Sequence, residues 1–306
     1  MVDESAAGQR IDNFLIRHCK GVPKSHVYRI LRSGEVRVNS RRVAQTYRLQ
    51  SGDEVRIPPL RLAEREDSSP VPVGKAFAIA YEDEALLVLD KPAGLAVHGG
   101  SGVSFGVIEQ LRRQRPEARF LELVHRLDRE TSGLLIVAKK RSALTVLHDM
   151  MRDGRVQKRY LTLVAGRWMN PLQHVKAPLL KYLTEGGERR VSVHPDGKPA
   201  HSIVRLHRRW QSCSLVEVEL KTGRTHQIRV HLTHQGFPLY GDDKYGDFAL
   251  NKQLEKAGLK RMFLHAAHLA FRHPLTDAPI ELSAPLPDEL AAFIVAVEQA
   301  EERDYG

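Results

Sequence analysis

The sequence predicts an α+β protein in two parts, and three observations carry that reading. A chain of 306 residues exceeds the about 100–150 residues of a common single domain, so it has room for one substantial core and a small appended unit. Basic residues crowd one end: eleven Lys or Arg between Gln9 and Leu60 face only Asp12, Glu35, Asp53 and Glu54, which places seven of the ten surplus charges in that short stretch. From Arg61 to Gly74 a charged and then Ser- and Pro-rich run with no apolar period reads as a linker. The expected boundaries are 9–60 for the small domain, 61–74 for the connector and 75–295 for the larger α+β domain, where strand-like and helical runs alternate without an internal repeat.

Composition narrows the class. At 42% hydrophobic and 27% charged, the chain has the balance of an ordinary globular protein. It holds no apolar run long enough to cross a bilayer, and Met1-Val2-Asp3-Glu4-Ser5 has neither the basic start nor the apolar stretch of a signal peptide; a cytoplasmic location is expected. Cys19 and Cys213 stand far apart and outside any CxxC spacing, so they are expected to be buried thiols rather than disulfide partners or metal ligands. The net charge of +10 favours a polyanionic partner, because Lys and Arg displace counterions from phosphates.

In the small domain, Ile11, Phe14 and Leu15 at helical spacing predict a first helix. Pro23 opens a second, which carries Val27, Ile30 and Leu31 and stops at Gly34. Lys24, Arg29 and Arg32 fall on the polar part of that helix, beside the hairpin-like Val36-Arg37-Val38-Asn39-Ser40-Arg41-Arg42, and together they predict a basic surface suited to an RNA backbone. Gly8-Gln9-Arg10-Ile11-Asp12, the two short helices, Gly34-Glu35-Val36-Arg37-Val38-Asn39 and Gly52-Asp53-Glu54-Val55 resemble an S4 RNA-binding domain.

In the larger domain, Val88-Leu89-Asp90-Lys91 reads as a strand that turns at Pro92 and Gly94. The Gly-rich piece from Gly99 to Gly106 misses both GxGxxG and the P-loop pattern, so it reads as a turn shaping a cleft wall, with Ser104 capping a helix that presents Val107, Ile108 and Leu111. Next, His125-Arg126-Leu127-Asp128 forms a polar loop entering a buried strand through Ser132-Gly133-Leu134-Leu135-Ile136-Val137. Ser142 is expected to cap the helix bearing Ala143, Leu144, Leu147, Met150 and Met151, with Gly154 as its stop and a strand from Tyr160 to Val164 after it. The alternating strand Val216-Glu217-Val218-Glu219-Leu220 turns at Gly223 into a helix expected to be capped by Thr225. On its own, Asp128 reads equally well as a loop carboxylate paired with Arg126 or Arg129.

Together, the stretches His125-Arg126-Leu127-Asp128 with Thr131-Ser132-Gly133-Leu134-Leu135, Lys158-Arg159-Tyr160, Gly223-Arg224-Thr225-His226-Gln227-Ile228-Arg229-Val230-His231-Leu232 and Leu264-His265-Ala266 resemble, in order, the motifs of the RluA family of pseudouridine synthases. The resemblance extends from the S4-like start to about Pro287. It implies a mixed, mainly antiparallel central sheet with flanking helices, and isomerisation of uridine to pseudouridine in RNA. The wording Gly21-Val22-Pro23-Lys24-Ser25, Ala96-Val97-His98-Gly99-Gly100-Ser101-Gly102 and Arg115-Pro116-Glu117-Ala118-Arg119-Phe120 is most similar to the S4-bearing branch that modifies three uridines of bacterial large-subunit rRNA.

The resemblance also implies roles. Asp128 matches the family's catalytic aspartate, Arg229 the arginine that pairs with it, and Tyr160 the active-site tyrosine; Ile228 completes an apolar pocket side, and Arg224 contacts RNA or the loop. Arg126 matches the arginine that fills the place of the flipped base. A carboxylate suits a reaction that cleaves the C1′–N1 bond and rejoins the ring through C5, since it can attack and later leave, or take a proton. Attack at C6, attack at C1′ and a glycal-like intermediate all remain open at this point. His226, His231 and His234 do not share one helix face, so no metal is expected, nor any organic cofactor; the expected partner is large-subunit rRNA or its assembly intermediates, with the protein a monomer. The competing readings are a synthase of the same family acting on other rRNA or on tRNA, a hydrolytic RNA glycosylase with Glu130 as its second carboxylate, and a non-catalytic assembly factor. His201 stands where related sequences often carry threonine or an acidic residue.

Overall fold

The computed structural model describes residues 1–4, 6–19, 22–60, 76–99 and 105–305, except for the side chains of Lys24, Asp304 and Tyr305. The expected linker over 61–74 and the Ser104 cap therefore lie outside the described residues, as do Gly100 to Gly102. The chain divides into two compact units, Met1–Gly74 with Glu117–Phe120, and Lys75–Pro116 with Leu121–Gly306.

In the first unit, α1 (Ile11–His18) and α2 (Lys24–Ser33) pack their apolar stripes together over a short antiparallel pair, β1 (Arg37–Val38) and β2 (Val55–Arg56). Ile11, Leu15, Val27, Ile30 and Val36 are fully buried there, each contributing about 1.5–3 kcal/mol by leaving water. Gly34 ends α2 in the left-handed region at φ 75°, as its position predicts. The Val36–Arg42 stretch corrects the hairpin expectation. Only one bridge, Val38 to Arg41, closes that turn across Asn39 and Ser40, and the main partner of β1 is β2, later in the chain.

The second unit begins with β3 (Ala78–Glu82), β4 (Leu86–Lys91), α3 (Val107–Gln114), β5 (Glu122–Leu123), β6 (Ser132–Ala138), α4 (Arg141–Arg152) and β7 (Gln157–Ala165). It continues through β8 (Leu172–Lys176), β9 (Leu179–Leu183), β10 (Arg189–Val193), β11 (His201–Arg209), β12 (Cys213–Leu220) and α5 (Gln227–His234). It closes with α6 (Phe248–Lys256), β13 (Leu264–Arg272), β14 (Pro279–Ser283) and α7 (Asp288–Tyr305).

One sheet runs β3-β4-β6-β13-β7-β12-β11-β8, with β14 on β13, β5 on β6, and β9 and β10 paired apart. Its pairings are antiparallel except β13 with β6, so the sheet is mixed and mainly antiparallel, as expected. Every residue of β6 is buried, which explains its unbroken apolar run. Gly133 sits at φ 105° where its Cα faces the Ala266 backbone of β13, and a Cβ would collide there. That close approach sets the strand entered directly from the Asp128 loop against the strand beside Tyr160.

Two cap expectations are overturned. Lys140, extended at φ −132° and ψ 146°, leads straight into α4, so Ser142 is already inside the helix and no side chain caps it. The residue before α5 is His226, not Thr225, and it stands in the left-handed region at φ 53°. Cys19 and Cys213 are buried free thiols. Among the described residues no helix is long and apolar enough to cross a membrane.

Candidate active site

A cavity of about 480 Å³ opens in the second unit, and Arg126, Asp128, Tyr160, Arg224, Ile228 and Arg229 all line it. Three elements bring them together. The Asp128 loop closes on itself where the Asp128 carbonyl accepts the Thr131 N–H at 3.1 Å, just before β6 begins. Tyr160 lies on β7, between β12 and β13, opposite Val218 and Ala266. Ile228 and Arg229 sit in the first turn of α5, whose lead-in turn is tied by Gln227: its Oε1 accepts the Arg224 N–H at 3.0 Å and the Thr222 hydroxyl at 2.8 Å. Its amide donates to His201 O and Ser202 Oγ, each at 3.0 Å. Gln227 thus ties the lead-in turn to β11 beside it, and no side chain caps the helix.

Asp128 does not pair with Arg126 or Arg129. Its Oδ2 lies 3.3 Å from Nη1 of Arg229. Arg229 is itself held more tightly elsewhere: Nε and Nη2 each donate to Asp242 at 2.7 Å, a two-point grip on a carboxylate with no solvent exposure. Burial works against the Arg229 guanidinium, and the hydrogen bonds and charge of Asp242, with that of Asp128, outweigh it and raise its pKa. Burial likewise pushes Asp242 up, but Arg229 and the backbone N–H groups of Tyr245 and Lys244 bring it below the ordinary carboxylate range. The guanidinium is thus a fixed cation with its Nε–Nη2 edge gripped by Asp242 and its Nη1 turned to Asp128. The Tyr245 ring stacks beside it, 5.0 Å from the guanidinium carbon.

Tyr160 is 6% exposed. Burial first, then the charge of Asp128, push its phenol well above the ordinary value, so it stays a neutral donor at physiological pH. His125 is held neutral: burial, with Lys158 nearby, pushes it down to about 3, and its Nε2 accepts the Ile136 N–H at 3.1 Å. Behind the loop, Lys91 is fully buried and its ammonium donates to the carbonyls of Pro92, Leu95 and Arg129 at 2.8, 2.8 and 3.1 Å. Arg126 is exposed and has no ion-pair partner among the described residues, while Arg224 is exposed and donates through Nε to Pro199 O at 3.0 Å.

In the first unit Arg29, Arg32, Arg37, Arg41 and Arg42 are all exposed. Arg42 reaches the Arg32 carbonyl with its stem against Gly34, and Arg37 donates to Ser40 O at 3.2 Å, so the helix end and the turn carry a shared basic patch. The Lys24 side chain is outside the described residues. No group of three or more His, Cys, Asp or Glu among them is placed to hold a metal ion. His231 bonds Ser202 Oγ and Ala177 O instead.

Sequence reasoning missed Asp242, His226 and Tyr245. Nothing in the spacing of Gly241-Asp242-Asp243-Lys244-Tyr245-Gly246 ties its aspartate to Arg229, and the signal that could have marked it is the pair of glycines that frames it. A Cβ at Gly241 would meet the Arg261 backbone of a distant segment, and one at Gly246 would meet the Asp242 carbonyl of the same turn.

Residues 85–234 match the family model described as RNA pseudouridylate synthase, and residues 9–55 match the S4 domain. The chain is 56% identical over 291 residues to the ribosomal large subunit pseudouridine synthase C of Salmonella typhi, covering 93% of this chain and 91% of that one. It is 55% identical to the protein of that name in Escherichia coli K12, with the same coverage, and 52% identical to that of Yersinia pestis over 97% and 94%. Among solved structures, human RNA pseudouridylate synthase domain containing 1 superposes with a TM-score of 0.60 at 26% identity, over 74% of this chain and 90% of that one. Human RNA pseudouridylate synthase domain containing 4 gives 0.59 at 24%, over 72% and 92%, a likeness of fold.

Proposed function

The chain belongs to the RluA family of RNA pseudouridine synthases, and on that premise we propose that it converts uridine to pseudouridine at three sites in bacterial large-subunit rRNA. The observation that carries the site is the orientation of Asp128 by an arginine that Asp242 already clamps, in the cavity that Tyr160 also lines. The curated relatives, named for the large ribosomal subunit, support the substrate.

On this reading residues 9–60 hold RNA through Lys24, Arg29, Arg32, Arg37, Arg41 and Arg42, residues 61–74 join the parts, and 75–295 carry the chemistry. Asp128 is the reactive carboxylate. Arg229 aims it through a charge-assisted hydrogen bond, and Tyr160 packs on the uracil and offers its hydroxyl for proton transfer. Ile228 closes the apolar side. The exposed guanidinium of Arg126 is free to stack where the base has left, offsetting a flipping cost of a few kcal/mol. Arg224 contacts RNA at the rim. The protein works as a monomer in the cytoplasm on subunit assembly intermediates, without a cofactor.

Pseudouridine mapping in rRNA and tRNA from cells lacking the protein tests the substrate. Loss of three large-subunit sites is expected, and loss confined to tRNA would overturn the assignment.

A further inference from the structure

We propose that His226 is a positioning residue for Asp128: Tyr245 fixes its imidazole in the tautomer protonated on Nε2, and that N–H is a second donor, beside Arg229, aiming the carboxylate. The inference rests on the reading of Asp128 as the reactive group.

The two ends of the ring carry the argument. Nδ1 lies 2.8 Å from the Tyr245 hydroxyl oxygen, and that oxygen already accepts the Val191 N–H at 3.0 Å. A phenol that accepts a backbone N–H has its own hydrogen to give, and Nδ1 is the acceptor it meets. At the other end, Nε2 is 3.9 Å from Asp128 Oδ2. A lone pair on Nε2 would face a carboxylate, whereas a proton there is attracted by it. Both ends therefore favour the same tautomer, as partners at one ring nitrogen commonly set the other.

Burial lowers the imidazole pKa, as do Arg229 and Lys244, against the opposing pull of Asp128 and Asp242, so the ring is neutral at neutral pH. The 3.9 Å separation is within the slack of an unliganded site, where catalytic hydrogen bonds tighten on substrate binding. The backbone supports the same aim: His226 occupies the left-handed region at φ 53°, which a histidine adopts at a cost, at the entry to α5. Tyr245 in turn is anchored through Val191 to β10, outside the main sheet. Two donors, Arg229 and His226, then bracket one carboxylate from nearby positions on the same helix entry.

Nitrogen chemical shifts of ¹⁵N-histidine-labelled full-length protein at neutral pH report the tautomer without any substitution. A protonated Nε2 with a bare Nδ1 on His226 is expected, shifting toward a tautomer mixture in Tyr245→Phe; a protonated Nδ1 in the wild type would overturn the proposal. In single-turnover assays with rRNA, His226→Ala should slow pseudouridine formation about ten- to a hundredfold, the loss of one hydrogen bond to a charged group, with little change in RNA affinity. His226→Gln, whose amide reaches the Nε2 position, should turn over faster than His226→Asn, whose amide reaches only Nδ1. A purely structural need for left-handed backbone predicts the reverse order, since Asn tolerates that region best. An active wild type with an equally active His226→Ala, or Asn outperforming Gln, would sink the inference alone. A wild type that makes no pseudouridine would sink the functional reading beneath it.

Discussion

At the scale of single residues, the site turns on where the charge of Arg229 is spent. Its Nε and Nη2 close on Asp242, which is fully buried, and its Nη1 faces Asp128. Removing one partner of a buried ion pair leaves an uncompensated charge, so Asp242→Asn should cost about 3 kcal/mol in urea unfolding and slow turnover as Arg229 loses its aim. The same pair sets an acid limb. The folded Asp242 carboxyl is depressed below 3.8, so its stabilisation is present above that pH and is lost as pH falls further; Asp242→Asn should flatten unfolding stability in that range. That Asp128, Tyr160 and Arg229 line one cavity was legible in the sequence because each sits inside a motif of fixed spacing. Asp242 was not, because no spacing links it to Arg229 until the fold brings it against a helix that begins fifteen residues earlier.

At the scale of elements, the apolar periods of α1, α2 and α4 and the unbroken run of β6 predicted their structure because burial pattern and hydrogen-bond period coincide. The caps were misread, since a Ser or Thr near a helix start is a cap only if it is itself the last residue outside the helix. At α4 that place falls to Lys140, where the chain arrives extended, and at α5 a buried Gln227 ties the turn. The place of β13 between β6 and β7 was equally hidden, because no sequence period reports which distant strands pair. Lys91 shows an element serving the site: at the end of β4 its ammonium spans the carbonyls of Pro92, Leu95 and Arg129, pinning the loop that carries Asp128. Lys91→Met should cost about 2–4 kcal/mol by leaving those carbonyls unmet, and should lower turnover more than RNA affinity. Burial pushes the Lys91 ammonium down to about 7 in the folded protein, so the unfolded chain binds the extra proton above that pH. Stability should therefore rise between about 7 and 10.5 in the wild type, and that rise should vanish in Lys91→Met.

At the scale of the whole molecule, charge and chemistry are divided. The first unit presents Arg29, Arg32, Arg37, Arg41 and Arg42 to solvent, and the second holds the cavity. Replacing Arg32, Arg37 and Arg41 with Gln should weaken RNA binding and make its salt dependence shallower by about 0.7–0.9 in log–log slope for each phosphate no longer neutralised, lowering kcat/KM far more than kcat. The division into two units was legible because a charge surplus confined to one end of the chain is a property of composition; the exact target uridines are properties of the RNA surface and leave no such trace. The central claim is that Asp128 performs the isomerisation on large-subunit rRNA. Its most direct test is carbodiimide detection of pseudouridine after purified protein meets protein-free large-subunit rRNA. The account predicts modified uridines with the wild type, unchanged RNA mass, and none with Asp128→Asn; an Asp128→Asn protein as active as the wild type, or release of free uracil, would contradict it.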